Sequence, residues 1–349
     1  MTRRLLLLFF ALPALLFRLS AAGFCSAGEE VFSVNLLSAY PDEHPLVRDV
    51  LRPWAREVLT RTNGRLIIHV FGADVLHLNE RLIRSVRLGQ IGMGHGNLAE
   101  EEGFPLSMLT GLNLGLEKIS ARSVSFWRIY NEIPEISREF SGVKILALHA
   151  RQPYQLCMLK DGVYVAEDLP GLTLLTDSSL ASLEAELLGA SSVPVPLEDF
   201  PVYLRDHEAD GALLTLSQAG EHGLKQQFGE IALADLESGA CWLGMHQGLW
   251  DILPQDLRKA LADTGGQKLS LALGAALQAE DRAQTDRLRA ENFPVHYFSA
   301  EERAKIRQLT QEALTEDWQR KARQAGAAAP RIIYDRARRI AAEIAAGRG

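Results

Sequence analysis

The stretch that decides the fold runs from Glu167 to Thr215 and reads EDLPGLTLLTDSSLASLEAELLGASSVPVPLEDFPVYLRDHEADGALLT. Two segments of helical pattern, Ser179–Leu188 and Leu197–Arg205, separate three short apolar runs. The runs are Leu172–Thr176, Val193–Val195 and the one that opens at Asp210-Gly211. Short strands that alternate with helices predict βαβ units and a parallel sheet. Ligands of such sheets bind at the C-terminal ends of the strands, so we expect a site where the first and third runs end.

The composition of the 349 residues predicts a globular protein with a sizeable core. Hydrophobic residues make up 47% and charged residues 23% of the chain, and the length predicts about two domains. The formal net charge is −7 and no basic cluster occurs, which argues against a nucleic-acid partner.

The N-terminus has the pattern of a secretory signal peptide. Arg3-Arg4 precedes an apolar run, Leu5–Phe17, and small residues follow at positions 20–22 and 26–27. The run is short for a membrane span, so we predict a signal peptide over residues 1–27 and a periplasmic location. Cleavage after Ala22 or after Ala27, export by either secretory route, and a retained anchor stay open alternatives.

The rest of the chain predicts a mixed α/β protein with a helical C-terminal third. Strands are predicted over residues 31–37, 65–71, 91–93, 106–109, 143–149, 154–159, 230–236, 241–245 and 294–298. Helices are predicted over 45–62, 79–88, 120–140, from 254 past 288, 299–325 and 330–345. Pro53 predicts a kink or a late helix start, and Pro134 predicts a kink or a division of its helix. Gly265-Gly266 predicts a bend in the long helix. The run Gly94–Asn97 predicts a turn, since it lacks the spacing of a phosphate-binding loop.

A series of motifs together resembles the substrate-binding subunit of tripartite ATP-independent periplasmic (TRAP) transporters, the DctP-like family. Each motif is short, but all of them occur in the family's order and near its spacing. They are Arg61–Phe71, Val86–Ile91, Glu167–Leu172, Gly189-Ala190 with Val193–Pro196, Asp210-Gly211, and Trp250-Asp251 with Leu253-Pro254.

The resemblance implies an α/β protein with the two-lobed periplasmic binding protein fold and a long helix that spans both lobes. It implies capture of a small organic solute between the lobes, delivery to membrane permease subunits and no enzymatic activity. After the signal peptide, the implied division is lobe I at 28–150 plus 242–262 and lobe II at 151–241 plus 290–325. The long connecting helix occupies 254–292 and a C-terminal helix occupies 326–349.

The implied ligand site departs from the family pattern at two positions. Relatives hold the solute carboxylate with an arginine where this chain has Leu175, and they place polar residues near Leu214. A guanidinium suits this task because it donates two parallel hydrogen bonds to a carboxylate. Arg151 lies near the position of a second family arginine, so we expect it to be the cationic contact, with a surface ion pair as the alternative.

Further ligand-binding candidates follow from strand ends and from the resemblance. They are Asn35, Tyr40, His95, Asn97, Asp177, Trp242 and His246. For His95 a structural role is the alternative, and for Trp242 a place in the core. We expect an organic acid that is less polar than usual for the family.

No catalytic motif is present, so an enzyme is not expected. The histidines lack metal-ligand spacing, and neither a metal nor a cofactor is predicted. The oligomeric state and the pairing of Cys157 with Cys241 stay open. The alternative function is a ligand-sensing or interaction protein on the same fold that has lost the usual carboxylate site.

Overall fold

The computed structural model of the protein describes residues 30–73, 81–98, 102–160, 162–206, 208–220, 224–237 and 239–348. The predicted signal peptide lies outside these residues, as do the first two residues of the helix predicted over 79–88. Within the described ranges, no helix is both long enough and apolar enough to cross a membrane.

Two mixed sheets form the centre of the molecule. Their strands are β1 (Phe32–Ser38), β2 (Leu66–Phe71), β3 (Met93–Asn97), β4 (Val143–Ala150), β5 (Tyr154–Met158), β6 (Thr173–Thr176), β7 (Ser191–Pro194), β8 (Gly211–Leu214), β9 (Glu230–Leu236), β10 (Ala240–His246) and β11 (Val295–Tyr297). The first sheet has the order β2-β1-β3-β10-β4, and the second has the order β11-β9-β5-β8-β6-β7. Strands β1, β2 and β3 are parallel, as are β6, β7 and β8.

Helices cover both sheets. They are α1 (Arg52–Arg61), α2 (Leu82–Arg87), α3 (Ile119–Glu132), α4 (Pro134–Glu139), α5 (Ser179–Leu187), α6 (Phe200–Arg205), α7 (Leu216–Gly220), α8 (Gln247–Ile252), α9 (Gln255–Thr264), α10 (Gly266–Ala290), α11 (Ala300–Gln324) and α12 (Pro330–Ala345). A turn of π-helix, Leu46–Leu51, leads into α1. Both faces of each sheet are therefore packed in apolar cores, which is the arrangement expected of parallel strands.

The chain passes between the sheets twice through adjacent segments. Residues 151–153 lead from β4 to β5, and residues 237–239 lead from β9 back to β10. The N–H of Arg151 donates to the carbonyl of Gly239 at 3.1 Å, which joins the two crossovers. The predicted two-lobed α/β fold is thus confirmed, with one sheet in each lobe.

The predicted βαβ units of residues 167–215 are confirmed. Strand β6 pairs in parallel with β7 on one side and with β8 on the other. Helix α5 begins after Ser178, whose hydroxyl accepts the N–H of Ala181 at 3.2 Å as an N-cap. The C-terminal ends of β6 and β8 consequently meet at one edge of the second sheet.

Proline and glycine divide the helices where the sequence predicted. Pro134 opens α4 directly after α3, and the long helix is split at Gly265 into α9 and α10. Pro53 lies in the first turn of α1, directly after the turn of π-helix.

Two local predictions were wrong. Residues 106–109 do not form a strand, because Ser107–Gly111 is a 3-10 helical turn. Gly94–Asn97 is not a turn but the body of β3, paired with β1 and β10. The glycine is needed for packing here: a Cβ on Gly94 would lie 2.6 Å from the Trp242 ring.

Candidate functional site

Polar side chains gather where the strands of the first sheet end beside the crossovers. Strands β1 and β3 end at Ser38 and Asn97, and antiparallel β10 begins beside them, with Cys241 opposite Asn97. Alternation along the strands places Ser38, His95 and Cys241 on one face. These side chains are buried, so they form a polar floor at this edge of the sheet, inside the protein.

A chain of hydrogen bonds runs through two histidines of this floor. The Ser38 hydroxyl lies 3.0 Å from His95 Nδ1, and His95 Nε2 lies 2.9 Å from His149 Nε2. His149 Nδ1 lies 2.9 Å from the carbonyl of Ala150, which can only accept, so Nδ1 carries the proton. It follows that His95 donates to His149 and that Ser38 donates to His95.

Both rings are neutral at neutral pH. Burial lowers the pKa of His149 to about 4. Burial, and then the nearby His149, hold the pKa of His95 well below its ordinary value. The two histidines therefore hold Ser38 and the β4 end in place as a hydrogen-bonded support.

Tyr40 covers this support from the loop after β1. Its ring stacks on His95 with centroids 5.4 Å apart and contacts His44 at 4.5 Å. Its hydroxyl lies 3.6 Å from Cys241 Sγ. Burial, and then Cys241, raise the pKa of Tyr40, while the charge of Arg151 lowers it and that of Glu280 raises it. Arg151 and Glu280 thus both lie within electrostatic reach of the Tyr40 hydroxyl.

Arg151 lies at the first crossover and contacts the second sheet. Its Nη1 donates to the Tyr154 hydroxyl at 2.8 Å, and its Nη2 lies 3.5 Å from Asp177 Oδ2. Only 7% of Arg151 is exposed, so the alternative of a surface ion pair does not hold.

Asp177 follows β6 and connects three elements of the second sheet. Tyr154 donates to Asp177 Oδ1 at 2.5 Å, and Gln218 Nε2 donates to Asp177 Oδ2 at 2.7 Å. Gln218 lies on α7, directly after β8. The predicted meeting of the β6 and β8 ends is therefore observed, with Asp177 at its centre.

Glu280 of α10 reaches both lobes. Its Oε1 accepts the Ser217 hydroxyl of α7 at 2.8 Å, and its Oε2 lies 3.0 Å from His44 Nε2 in the loop after β1. His44 follows the C-terminal end of β1, and Ser217 follows that of β8. The side chains of His44, Ser217 and Glu280 are all buried.

A second buried charged cluster joins the lobes elsewhere. Arg122 of α3 lies 3.2 Å from the Glu237 carboxylate, and Glu184 of α5 accepts the Glu237 N–H at 2.8 Å. Burial raises the pKa of both carboxyl groups, and Arg122 opposes that rise. The two carboxyl groups therefore share Arg122, and the charge of Arg307 also lowers the pKa of Glu237.

Five of the predicted site residues lie away from the polar floor, three of them on β1, β6 and β8. Asn35 is exposed on the opposite face of β1 and lines a surface cavity of about 460 Å³. Leu175 and Leu214 are fully buried in one apolar core with Phe200. Both faces of this sheet are covered, so these leucines pack inward and do not line a cleft.

Strand β10 places the remaining two predicted residues away from the polar floor. Trp242 is fully buried in the core beneath α2, against Gly94, which is the alternative position given for it above. His246 pairs with Val143, the first residue of β4, so it lies at the far end of the sheet from the crossovers. The predicted residues at the polar edge are Tyr40, His95, Asn97, Arg151 and Asp177.

Sequence reasoning missed His44, His149, Gln218 and Glu280. His149 ends a strand that was predicted, so the same strand-end rule would have found it. Glu280 stands in the run Gln278-Ala279-Glu280-Asp281-Arg282, which reads as a solvated helix face. Its burial depends on α7 and on the loop after β1, both distant in sequence.

The described residues contain no group of three or more His, Cys, Asp or Glu side chains arranged to hold a metal ion. Cys157 and Cys241 are not joined by a disulfide bond, and each is buried in a different lobe. The site therefore consists of hydrogen-bonding groups, one guanidinium and aromatic rings, which suits binding of a small solute.

A family model described as bacterial extracellular solute-binding protein, family 7 (DctP), matches residues 37–321. The chain belongs to this family. It is 23% identical over 239 residues to an outer membrane transporter protein, TsaT, of Comamonas testosteroni, covering 66% of this chain and 70% of that protein.

Two solved structures share the fold of this family 7 protein. One is a TRAP solute-binding protein from Rhodoferax ferrireducens in complex with copurified benzoate, with a TM-score of 0.81, 20% identity and coverage of 91% and 100% of the two chains. The other is a TRAP solute-binding protein from a marine metagenome with 3-hydroxybenzoate, with a TM-score of 0.81, 16% identity and coverage of 90% and 99%. These likenesses show the fold, and membership of family 7 makes the protein a solute-binding protein.

Proposed function

We propose that this solute-binding protein captures a small aromatic or otherwise weakly polar organic acid in the periplasm and presents it to TRAP permease subunits. The buried guanidinium of Arg151, at the crossover between the sheets, is the observation that carries the proposal. In this position Arg151 can contact a solute that both lobes enclose. A carboxylate is the natural partner of a buried guanidinium.

The surroundings of Arg151 favour a ring-bearing acid. Tyr40 presents an aromatic face that is fixed by stacking on His95. Aromatic side chains bind flat apolar ligands through large contact area at low conformational cost. Benzoate and 3-hydroxybenzoate occupy the two structural relatives, which supports the same class for this chain.

The mechanism is closure of the two lobes around the solute. The lobes are joined by two short crossovers and by the long helix, so a rotation between the sheets opens and closes the space at the strand ends. Binding stabilises the closed form because only that form contacts the solute from both sides. The permease subunits then recognise the closed form.

A thermal-shift screen of the protein tests this proposal. The panel contains benzoates, phenylacetates, short aliphatic acids, dicarboxylates, amino acids and neutral aromatic alcohols. Binding to the native state raises the melting temperature by mass action, so monocarboxylates should raise it and the neutral alcohols should not. A panel without any saturable stabilisation would contradict the proposal and favour a sensing or interaction role on the same fold.

A further inference from the structure

Two buried polar atoms between the lobes face each other without forming a hydrogen bond. His44 Nε2 and Glu280 Oε2 are 3.0 Å apart, but the angle at the histidine N–H is unsuitable for a hydrogen bond between them. Neither atom has another hydrogen-bond partner among the described residues. His44 is 7% exposed and Glu280 is 8% exposed. The two atoms are at ion-pair distance, and because buried polar atoms are nearly always hydrogen-bonded, a third group that bonds to both would complete this pair.

The protonation pattern defines what that third group must be. His44 Nδ1 accepts the N–H of Leu46 at 3.2 Å, so the proton of the neutral ring lies on Nε2. Nε2 therefore needs an acceptor. The second oxygen of the Glu280 carboxylate is occupied by Ser217, so Oε2 needs a donor. A hydroxyl group meets both needs at once, because it accepts one hydrogen bond and donates another.

The pair lies beside the proposed solute site. The His44 ring contacts Tyr40 at 4.5 Å, and the charges of Arg151 and Glu280 both act on the Tyr40 hydroxyl. Glu280 also reaches α7, the helix whose Gln218 contacts Asp177. The pair and Arg151 thus both lie near Tyr40.

We propose that His44 and Glu280 form a subsite for a hydroxyl group of the solute, so that the protein selects hydroxylated organic acids over their unsubstituted analogues. This inference rests on the proposed function, with Arg151 as the carboxylate contact. It assigns Glu280 as a specificity-determining residue. An ammonium group fits less well, because it cannot accept the proton of His44.

The test measures affinities by titration calorimetry for matched acids. The set is benzoate, the three hydroxybenzoates, the three methylbenzoates, and 3-hydroxybutyrate with butyrate. A hydrogen bond to a charged group contributes enough to predict that one hydroxylated acid binds at least about tenfold tighter than its unsubstituted and methylated analogues. The methyl analogues matter because they match the hydroxyl in size without its hydrogen bonds.

The substitution Glu280→Gln should reduce this preference to within about threefold. If the amide oxygen accepts from Ser217, the amide N–H group faces His44 Nε2 and two donors oppose each other. Glu184→Gln is the matched control, since it makes the same change at another buried carboxyl group and should leave the preference intact.

The outcomes separate this inference from the proposed function. Acids that bind without any preference for a hydroxyl group would overturn the subsite and leave the proposed function standing. A preference that survives Glu280→Gln would overturn the role of Glu280. Absence of binding by every acid would contradict the proposed function and the subsite with it. Even if Glu280→Gln fails to fold, the comparison of hydroxylated acids with their analogues in the natural protein still tests the subsite.

Discussion

The guanidinium of Arg151 lies 3.5 Å from the carboxylate of Asp177, and the hydroxyl of Tyr154 contacts both groups. The positive charge of Arg151 is therefore already balanced by the carboxylate of Asp177, which follows β6 of the second sheet. A solute carboxylate that approaches Arg151 competes with Asp177 for the same charge. Which solute binds at this site consequently depends on both Arg151 and Asp177.

Removing the charge of Asp177 should strengthen anion binding. Asp177→Asn keeps an oxygen that can accept from Tyr154, but it no longer repels an incoming carboxylate. We expect affinity for the best organic acid to rise about threefold or more, measured by calorimetry at low salt. Asp199→Asn, the same charge change at an exposed position, should have little effect. Weaker binding by Asp177→Asn would show that Asp177 receives a donor of the solute.

Breaking the Arg122 contact should destabilise the fold in a pH-dependent way. Arg122→Met removes the cation that contacts Glu237 and leaves the charge of Arg307 acting on it, so we expect a loss on the order of 3 kcal/mol at pH 8. Burial raises the pKa of both carboxyl groups, so they bind protons as the pH falls and need the cation less. The loss should be clearly smaller at pH 5, as measured by urea unfolding. A loss that does not depend on pH would contradict this account.

His149 should make the protein less stable in acid. Its pKa is about 4 in the folded protein and 6.5 ordinarily, so its contribution is complete above pH 6.5 and is lost as the pH falls toward 4. The upper limit of this loss is about 3 kcal/mol. His149→Asn can keep the bond to the Ala150 carbonyl through its amide N–H. Its unfolding free energy should therefore fall less between pH 7 and pH 4, and an equal fall in both proteins would refute the assignment.

The glycines of β3 should differ in their tolerance of a methyl group. Gly94→Ala places a Cβ 2.6 Å from the Trp242 ring and 2.9 Å from Val86, so overpacking should cost about 1–3 kcal/mol. Gly96→Ala meets Trp242 only at 3.5 Å, an ordinary contact, and serves as the matched control. Equal melting temperatures for the two variants would contradict the packing described for Trp242.

Local periodicity predicted most of the fold. The βαβ units of residues 167–215 and the breaks at Pro134 and Gly265 are decided by residues close together in sequence, so a single chain reveals them. The strand β3 was misread as a turn, because its two glycines are explained only by the ring of Trp242 from a distant strand. Nearby residues decide where a strand ends, but residues distant in sequence decide whether that end is buried.

The site was only partly predictable for the same reason. Arg151 and Asp177 follow from strand ends and from family resemblance. Leu175 and Leu214 occupy positions that looked like a ligand site, yet helices cover both faces of their sheet. Glu280 looks solvated in sequence, and its contact with His44 depends on how α10 crosses from one lobe to the other.

The central claim is that Arg151 binds the carboxylate of the captured solute. Calorimetry with the best acid from the screen, on Asp177→Asn and on the double variant Arg151→Gln/Asp177→Asn, tests it most directly. Because both variants lack the Asp177 charge, Arg151→Gln leaves no buried acid uncompensated in this pair. We predict that the double variant binds at least about tenfold more weakly than Asp177→Asn, with an unchanged melting temperature in the absence of acid. Equal affinity of the two variants would contradict the claim.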